Sequence, residues 1–153
     1  MGVNLSAPDV GLTDNVFQDS VQEHGYVAVN GALALSGNTV SGAPRLLWLS
    51  GTVQNSFSLD PVIPAYGING ALSLAAGQTL TIPAGVVVKL QGGSLVVPGQ
   101  LVTNGTAGAP VVFTSYRDDA YGGDTNRDGG ATLPAPGDWY QIQADGNGQV
   151  SLD

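Results

Sequence analysis

Residues 69–115 read NGALSLAAGQTLTIPAGVVVKLQGGSLVVPGQLVTNGTAGAPVVFTS, and their reading decides the fold. The stretch holds two copies of one pattern, three short apolar runs separated by Gly/Pro turns. The first copy predicts strands at Ala71–Leu74, Thr79–Ile82 and Val86–Leu90, the second at Ser94–Val97, Gln100–Thr103 and Val111–Ser115. Corresponding positions lie almost one fixed step apart: 23 residues from Leu72 to Leu95, 21 from Leu80 to Leu101 and 24 from Val88 to Val112. A fixed period of this length marks a solenoid, and three strands per period with no helix between them mark a β-helix. The expected fold is therefore all-β, a right-handed parallel β-helix with coils of about 22–23 residues. Val, Leu and Ile of successive coils should stack inside as aliphatic columns, with Lys89 and Thr81 facing water.

Upstream, the rhythm is looser. Asn15, Phe17, Gly25-Tyr26 and Val27/Val29 recur about 23 residues later as Asn38, Val40 and Leu47/Leu49, which predicts one coil each. Asn15 and Asn38 read either as rungs of a stacked amide ladder or as plain turn residues. Residues 51–68 carry Pro61 and Pro64, which cannot donate to a sheet, so a bulged segment or a coil of different shape is expected there. The near copies NGALAL (30–35) and NGALSL (69–74) are 39 residues apart, consistent with an irregular coil between two regular ones.

The 153 residues suffice for one domain, and its 23 Gly, 9 Pro and 10% charged residues describe a strand-and-turn protein. A net charge of −8 excludes a nucleic-acid binder, because Arg45, Lys89, Arg117 and Arg127 are too few and too scattered to neutralise phosphates. Without cysteine there are no disulfides, thiolate metal sites or cysteine nucleophiles. No apolar run is long enough for a membrane helix, and the first residues show no signal-peptide pattern. Strand signals continue to Asp153 without a capping element. We expect a piece of a longer solenoid or a unit that associates end to end.

After Ser115 the register breaks for residues 116–138 and resumes at Trp139–Gln143 and Gln149–Leu152. This insertion is where chemistry is expected. Residues 124–130, DTNRDGG, match the first part of a D-x-[DN]-x-[DN]-G calcium loop. In such a loop the alternate side chains of Asp124, Asn126 and Asp128 converge. Gly129 permits the sharp turn, and the Gly130 carbonyl is a further oxygen ligand. Hard oxygen donors without nearby His or Cys favour Ca²⁺ over zinc. The twelfth loop position is Ala135, so the bidentate Glu of an EF-hand is missing, and Asp118, Asp119 or Asp138 must complete the coordination.

Two sets of residues carry a family resemblance. DNVFQDS (14–20), HGYVAV (24–29) and GNTVSGAPRLLWLSG (37–51) are similar to the coils of right-handed parallel β-helix repeat proteins, the NosD-like and pectate-lyase-like group. The insertion, DDxxGGDTNxDG followed by PAPGDW, resembles bacterial extracellular repeat modules of that fold, which carry no assigned catalysis. The resemblance implies an extracellular or cell-surface, non-catalytic scaffold or adhesin-type segment, with a polysaccharide or cell-surface ligand as a possible partner.

No catalytic residues are assigned. His24 lacks a Ser/Asp partner in the sequence, and adjacent Asp118 and Asp119 would face opposite ways on a strand. The alternative is a fragment of a polysaccharide lyase or glycoside hydrolase, which needs facing carboxylates or a basic residue beside calcium carboxylates. Arg117 and Arg127 near the aspartates are the nearest approach to that arrangement. Trp48, Trp139, Tyr140, Tyr116 and Tyr121 read either as a carbohydrate-stacking platform or as core and loop anchors.

Overall fold

Alternation of apolar and polar residues between glycine turns makes strands of this chain. A computed structural model describes residues 3–18, 25–42, 46–146 and 148–153; His24 and Arg45 lie outside the described residues. Among the described residues there are fifteen strands and no helix. In chain order they are β1 (Val3–Ala7), β2 (Val10–Thr13), β3 (Val16–Gln18), β4 (Gly25–Val29), β5 (Leu33–Ser36) and β6 (Thr39–Ser41). Then come β7 (Leu46–Val53), β8 (Phe57–Ser58), β9 (Ala65–Leu74), β10 (Thr79–Pro83) and β11 (Val87–Val97). The last are β12 (Gln100–Asn104), β13 (Val112–Ser115), β14 (Gln141–Ala144) and β15 (Gln149–Ser151).

Every ladder between these strands is parallel, and each joins one coil to the next. One wall runs β1-β4-β7-β9-β11-β13, with β14 also paired to β11; a second runs β15-β12-β10-β8. The short ladders β2-β5 and β3-β6 continue the outline in the first coils. The result is a parallel β-solenoid.

Its interior is aliphatic. Val27, Leu49, Ile68 and Leu90 lie in register, each at most 2% exposed, and Leu80 and Leu101 stack on the opposite wall. Burying such a side chain contributes roughly 1.5–3 kcal/mol, and a column repeats the gain in every coil.

At one turn the ladder reading of the asparagines holds. The Asn15 N–H and Nδ2 each donate to Asn38 Oδ1 at 3.1 Å, and the Asn38 N–H and Nδ2 donate to Asp60 Oδ2 at 3.1 and 2.9 Å. Asp60 closes the ladder because a carboxylate only accepts; its other oxygen takes the Val62 N–H at 3.2 Å.

Two expectations change and one alternative is decided. Of the two readings of residues 51–68, the coil of different shape holds: β7, β8 and the start of β9 all pair with their neighbours. The coil is merely short, with Leu46 facing Ala65, and Pro61 and Pro64 sit in its turn. Val27 pairs with Leu49 and Gly25 with Leu47, so the second coil is shifted by two residues from the Val27/Leu47 alignment. Lys89 does not face water, because the insertion covers it.

Candidate metal centre

The insertion leaves the solenoid at a built-in bulge. The β9-β11 ladder shifts register between Gln91 and Ser94, around Gly92-Gly93. In the next coil the same wall is split: β13 pairs with Val87–Leu90 and β14 with Ser94–Val97. Residues 116–138 depart between them, so the excursion adds a loop without displacing the stack. Its two feet are fastened to the bulge. The Tyr116 N–H donates to Leu90 O (2.9 Å), the Gly92 N–H to Asp138 O (2.6 Å) and the Tyr140 N–H to Gly93 O (3.0 Å). The Asp138 carboxylate accepts from the Ser115 hydroxyl (2.5 Å) and the Ala135 N–H (2.9 Å), and pairs with Arg117 at 3.1 Å. The Ser115 bond first, then the Ala135 N–H and the Arg117 charge, hold Asp138 below the usual carboxylate range.

From these feet the insertion folds back over the outer face of the wall. Successive coils present there the row Asn4, Tyr26, Trp48, Gly67, Lys89 and Thr114. Leu46, Trp48, Ala65 and Val87 form a second, smaller core, against which Val112 and Tyr116 pack. A Cβ on Gly67 would lie 2.4 Å from Trp48 Cε3, so the indole rests on bare backbone. The Tyr116 ring covers Trp48 at a centroid distance of 5.2 Å, tilted by 53°.

Lys89 is the anchor of this cover. Fully buried, its ammonium donates to Asp118 O (2.7 Å), Gly123 O (2.7 Å) and Thr125 Oγ1 (2.8 Å). Burial lowers its pKa, and the charges of Asp119, Asp118 and Asp124 pull it back up. The sequence carried a sign of this role. LLWL (46–49), AYGI (65–68) and VVVKL (86–90) are continuous rather than alternating runs, the pattern of strands covered on both faces.

Above Lys89 the predicted calcium loop curls as its spacing requires. Gly129 and Gly130 take left-handed φ values of 66° and 81°, and Arg127 joins them at 62°. Asp124 accepts the N–H groups of Asp128 (3.1 Å) and Gly129 (3.0 Å). Asp128 accepts those of Gly130 (2.8 Å), Ala131 (2.9 Å) and Thr132 (2.9 Å), together with the Thr132 hydroxyl and Asn126 Nδ2. The Thr132 hydroxyl bond leads the contacts that hold Asp128 below its ordinary pKa. One carboxylate oxygen from each of Asp119, Asp124 and Asp128 lies within 4.8 Å of the other two.

Of the predicted ligands, the fold thus gathers Asp119, Asp124, Asn126 and Asp128. Gly130 is beside them through its N–H bond to Asp128, and Asp119 Oδ2 is 3.9 Å from where a Gly130 Cβ would be. The other two carboxylates are engaged elsewhere. Asp118 accepts from the Thr114 hydroxyl (2.5 Å) and the Ala120 N–H (3.0 Å), and Asp138 clamps the base of the insertion.

The cluster fits a hard cation on three counts. Its donors are all oxygens. One oxygen from each of the three carboxylates lies within 4.8 Å of the others, a span that one ion with Ca–O distances of about 2.3–2.6 Å can bridge. Most tellingly, Asp119 Oδ1 and Asn126 Oδ1 are buried acceptors with no hydrogen-bond partner among the described residues. Desolvation first, then the charges of Asp124 and Asp128, push the Asp119 pKa up. The charge of Lys89 acts in the opposite direction without offsetting them.

The middle coils and the greater part of the insertion coincide with one known family: residues 51–133 match the pectate-lyase like beta helix domain. The chain belongs to this family. The match covers more than half of this pectate-lyase-like β-helix and begins at Gly51, so it does not extend to the finer NosD-like resemblance of residues 14–51. No curated protein and no solved structure matches the chain. Of the aromatic residues read as a platform, Trp48 and Tyr116 contact each other at a tilt, Trp139 packs on the main core, and Tyr121 and Tyr140 are exposed.

Proposed function

We propose that the chain is a non-catalytic extracellular β-helix module whose insertion is ordered by a structural Ca²⁺ held by Asp119, Asp124, Asp128 and Asn126. The observation that carries the reading is the pair of buried, unpartnered oxygens on Asp119 and Asn126, set into a cluster of three carboxylates. An ion there gives those oxygens their missing partner and cancels the repulsion among three charges. The Gly130 carbonyl is available as a further ligand, as the loop spacing suggests. Asp118 and Asp138 act as struts on either side of the site.

A scaffold role is supported by the use to which the reactive side chains are put. The chain's only lysine is buried with its ammonium donating to three oxygens, so it is not presented to a substrate as a base. Arg117 is paired with Asp138. An exported location accords with the family and with the acidic composition, and no helix among the described residues is long and apolar enough to cross a membrane.

The test is thermal unfolding of the whole chain in EDTA and in rising Ca²⁺, with Mg²⁺ as control. Binding to the folded state alone should raise stability by about 2.7 kcal/mol at 100 times the Kd. Asp119→Asn should abolish the response and also raise the metal-free midpoint slightly, because it removes the repulsion and the desolvated charge. An unchanged midpoint at millimolar Ca²⁺ overturns the metal. A Ca²⁺ response retained in Asp119→Asn moves the ion off this cluster.

A further inference from the structure

The carboxylate cluster has a positive charge built in beneath it. Lys89 is fully buried, and its ammonium uses all three N–H bonds on Asp118 O, Gly123 O and Thr125 Oγ1, at 2.7, 2.7 and 2.8 Å. These acceptors are sequence neighbours of two proposed ligands: Asp118 precedes Asp119, and Gly123 and Thr125 flank Asp124. The chain between the two ligands lies on the lysine stem. A Cβ on Gly122, whose φ is 68°, would come 3.5 Å from Lys89 Cε and 3.1 Å from Ala65 Cβ. The ammonium is thus sealed under the loop. Asp119 contributes the largest of the charges that act on it, ahead of Asp118 and Asp124.

We propose that Lys89 is the specificity-determining residue of this site, setting it for a divalent cation against a trivalent one; the proposal rests on the metal reading above. Asp119, Asp124 and Asp128 bring three negative charges, which Lys89 and one divalent ion balance together. Without the lysine, the same carboxylates would balance a trivalent ion. Asp118 adds a further negative charge, but its effect on Asp119 is smaller than that of Lys89. Its carboxylate is held by the Thr114 hydroxyl and the Ala120 N–H. Burial makes the lysine count. Charges interact more strongly away from bulk water, and salt screens a buried pair much less than an exposed one. The repulsion between Lys89 and a bound ion grows with the charge of the ion, so it disfavours a trivalent ion more than a divalent one of the same size.

The test uses the full chain with Ca²⁺ and Tb³⁺, ions of similar size that differ by one charge, at fixed ionic strength. Calorimetry follows Ca²⁺, and luminescence sensitised through the aromatic residues follows Tb³⁺. Lys89→Met should shift the ratio of the two affinities toward Tb³⁺ by at least about threefold. A purely structural lysine would weaken both ions alike and leave the ratio where it was. Thr125→Val, which removes one acceptor and no charge, should do just that. If Lys89→Met no longer holds its insertion, Lys89→Gln, uncharged but still a donor, carries the same readout. An unmoved ratio, or loss of both ions from both Lys89 variants, overturns the proposal and leaves the metal reading intact. Failure of the unaltered chain to bind Ca²⁺ overturns the metal reading and this one with it.

Discussion

The solenoid and its insertion are held together by opposite means. Inside the coils, columns such as Val27–Leu49–Ile68–Leu90 gain stability from removing apolar area from water, and each coil repeats the gain. The insertion buries little of its own: residues 131–137 are all exposed, and its shape comes from carboxylates accepting N–H groups and from one lysine beneath it. A repeat that contacts only its neighbours tolerates a long loop at one position. A loop without a core must borrow order from the surface on which it lies. The insertion borrows from the second core over Trp48, from Lys89 and, on our reading, from an ion.

The difference is sharpest if the two regions can be unfolded separately. Leu49→Ala removes a rung of the inner column and should destabilise the whole chain by about 2–5 kcal/mol, read as a lower denaturant midpoint with a single transition. If Leu49→Ala leaves the coils as stable as before, the column is not their main support. Lys89→Met should act locally. It leaves Asp118 O, Gly123 O and Thr125 Oγ1 without their buried donor, at a cost of about 1–3 kcal/mol. Hydrogen exchange should then show lost protection over residues 116–138 with the coil amides little changed, and a uniform loss would merge the two regions into one cooperative unit.

Acid should have the smallest effect and the most diagnostic shape. Asp128 and Asp138 have depressed pKa values in the folded chain, so their stabilisation is present above the unfolded carboxylate pKa of about 3.9 and is lost as pH falls through their folded values. Asp119 is raised, so its contribution is present below about 3.9 and is lost as pH rises through its folded value. In EDTA, protection of the insertion should therefore rise slightly as Asp119 protonates and then fall as Asp128 and Asp138 do. Saturating Ca²⁺ should remove the rise. A monotonic profile in EDTA would show that Asp119 does not oppose the folded loop.

Sequence alone determined the solenoid, its coil length and the place of the insertion. Turn glycines and period-two runs are local signals that a parallel stack repeats at nearly constant spacing, so Leu72 could be matched to Leu95 and Leu80 to Leu101 without coordinates. The convergence of Asp124, Asn126 and Asp128 was legible for the same reason, since it occurs within a single turn of chain. What lies on top of the wall depended on contacts between residues distant in sequence. Lys89 reads as a solvent-facing residue until residues 118–125 fold back onto it, although the unbroken VVVKL run hinted at a second covered face. The choice of Asp119 over Asp118 and Asp138 as companion to the loop was likewise tertiary. Thr114 and Ala120 engage Asp118, and Ser115, Ala135 and Arg117 engage Asp138, whereas Asp119 keeps a buried oxygen unmatched. A periodic pattern fixes what each coil repeats, but the partners of a loop that leaves the period are set only by where it lands.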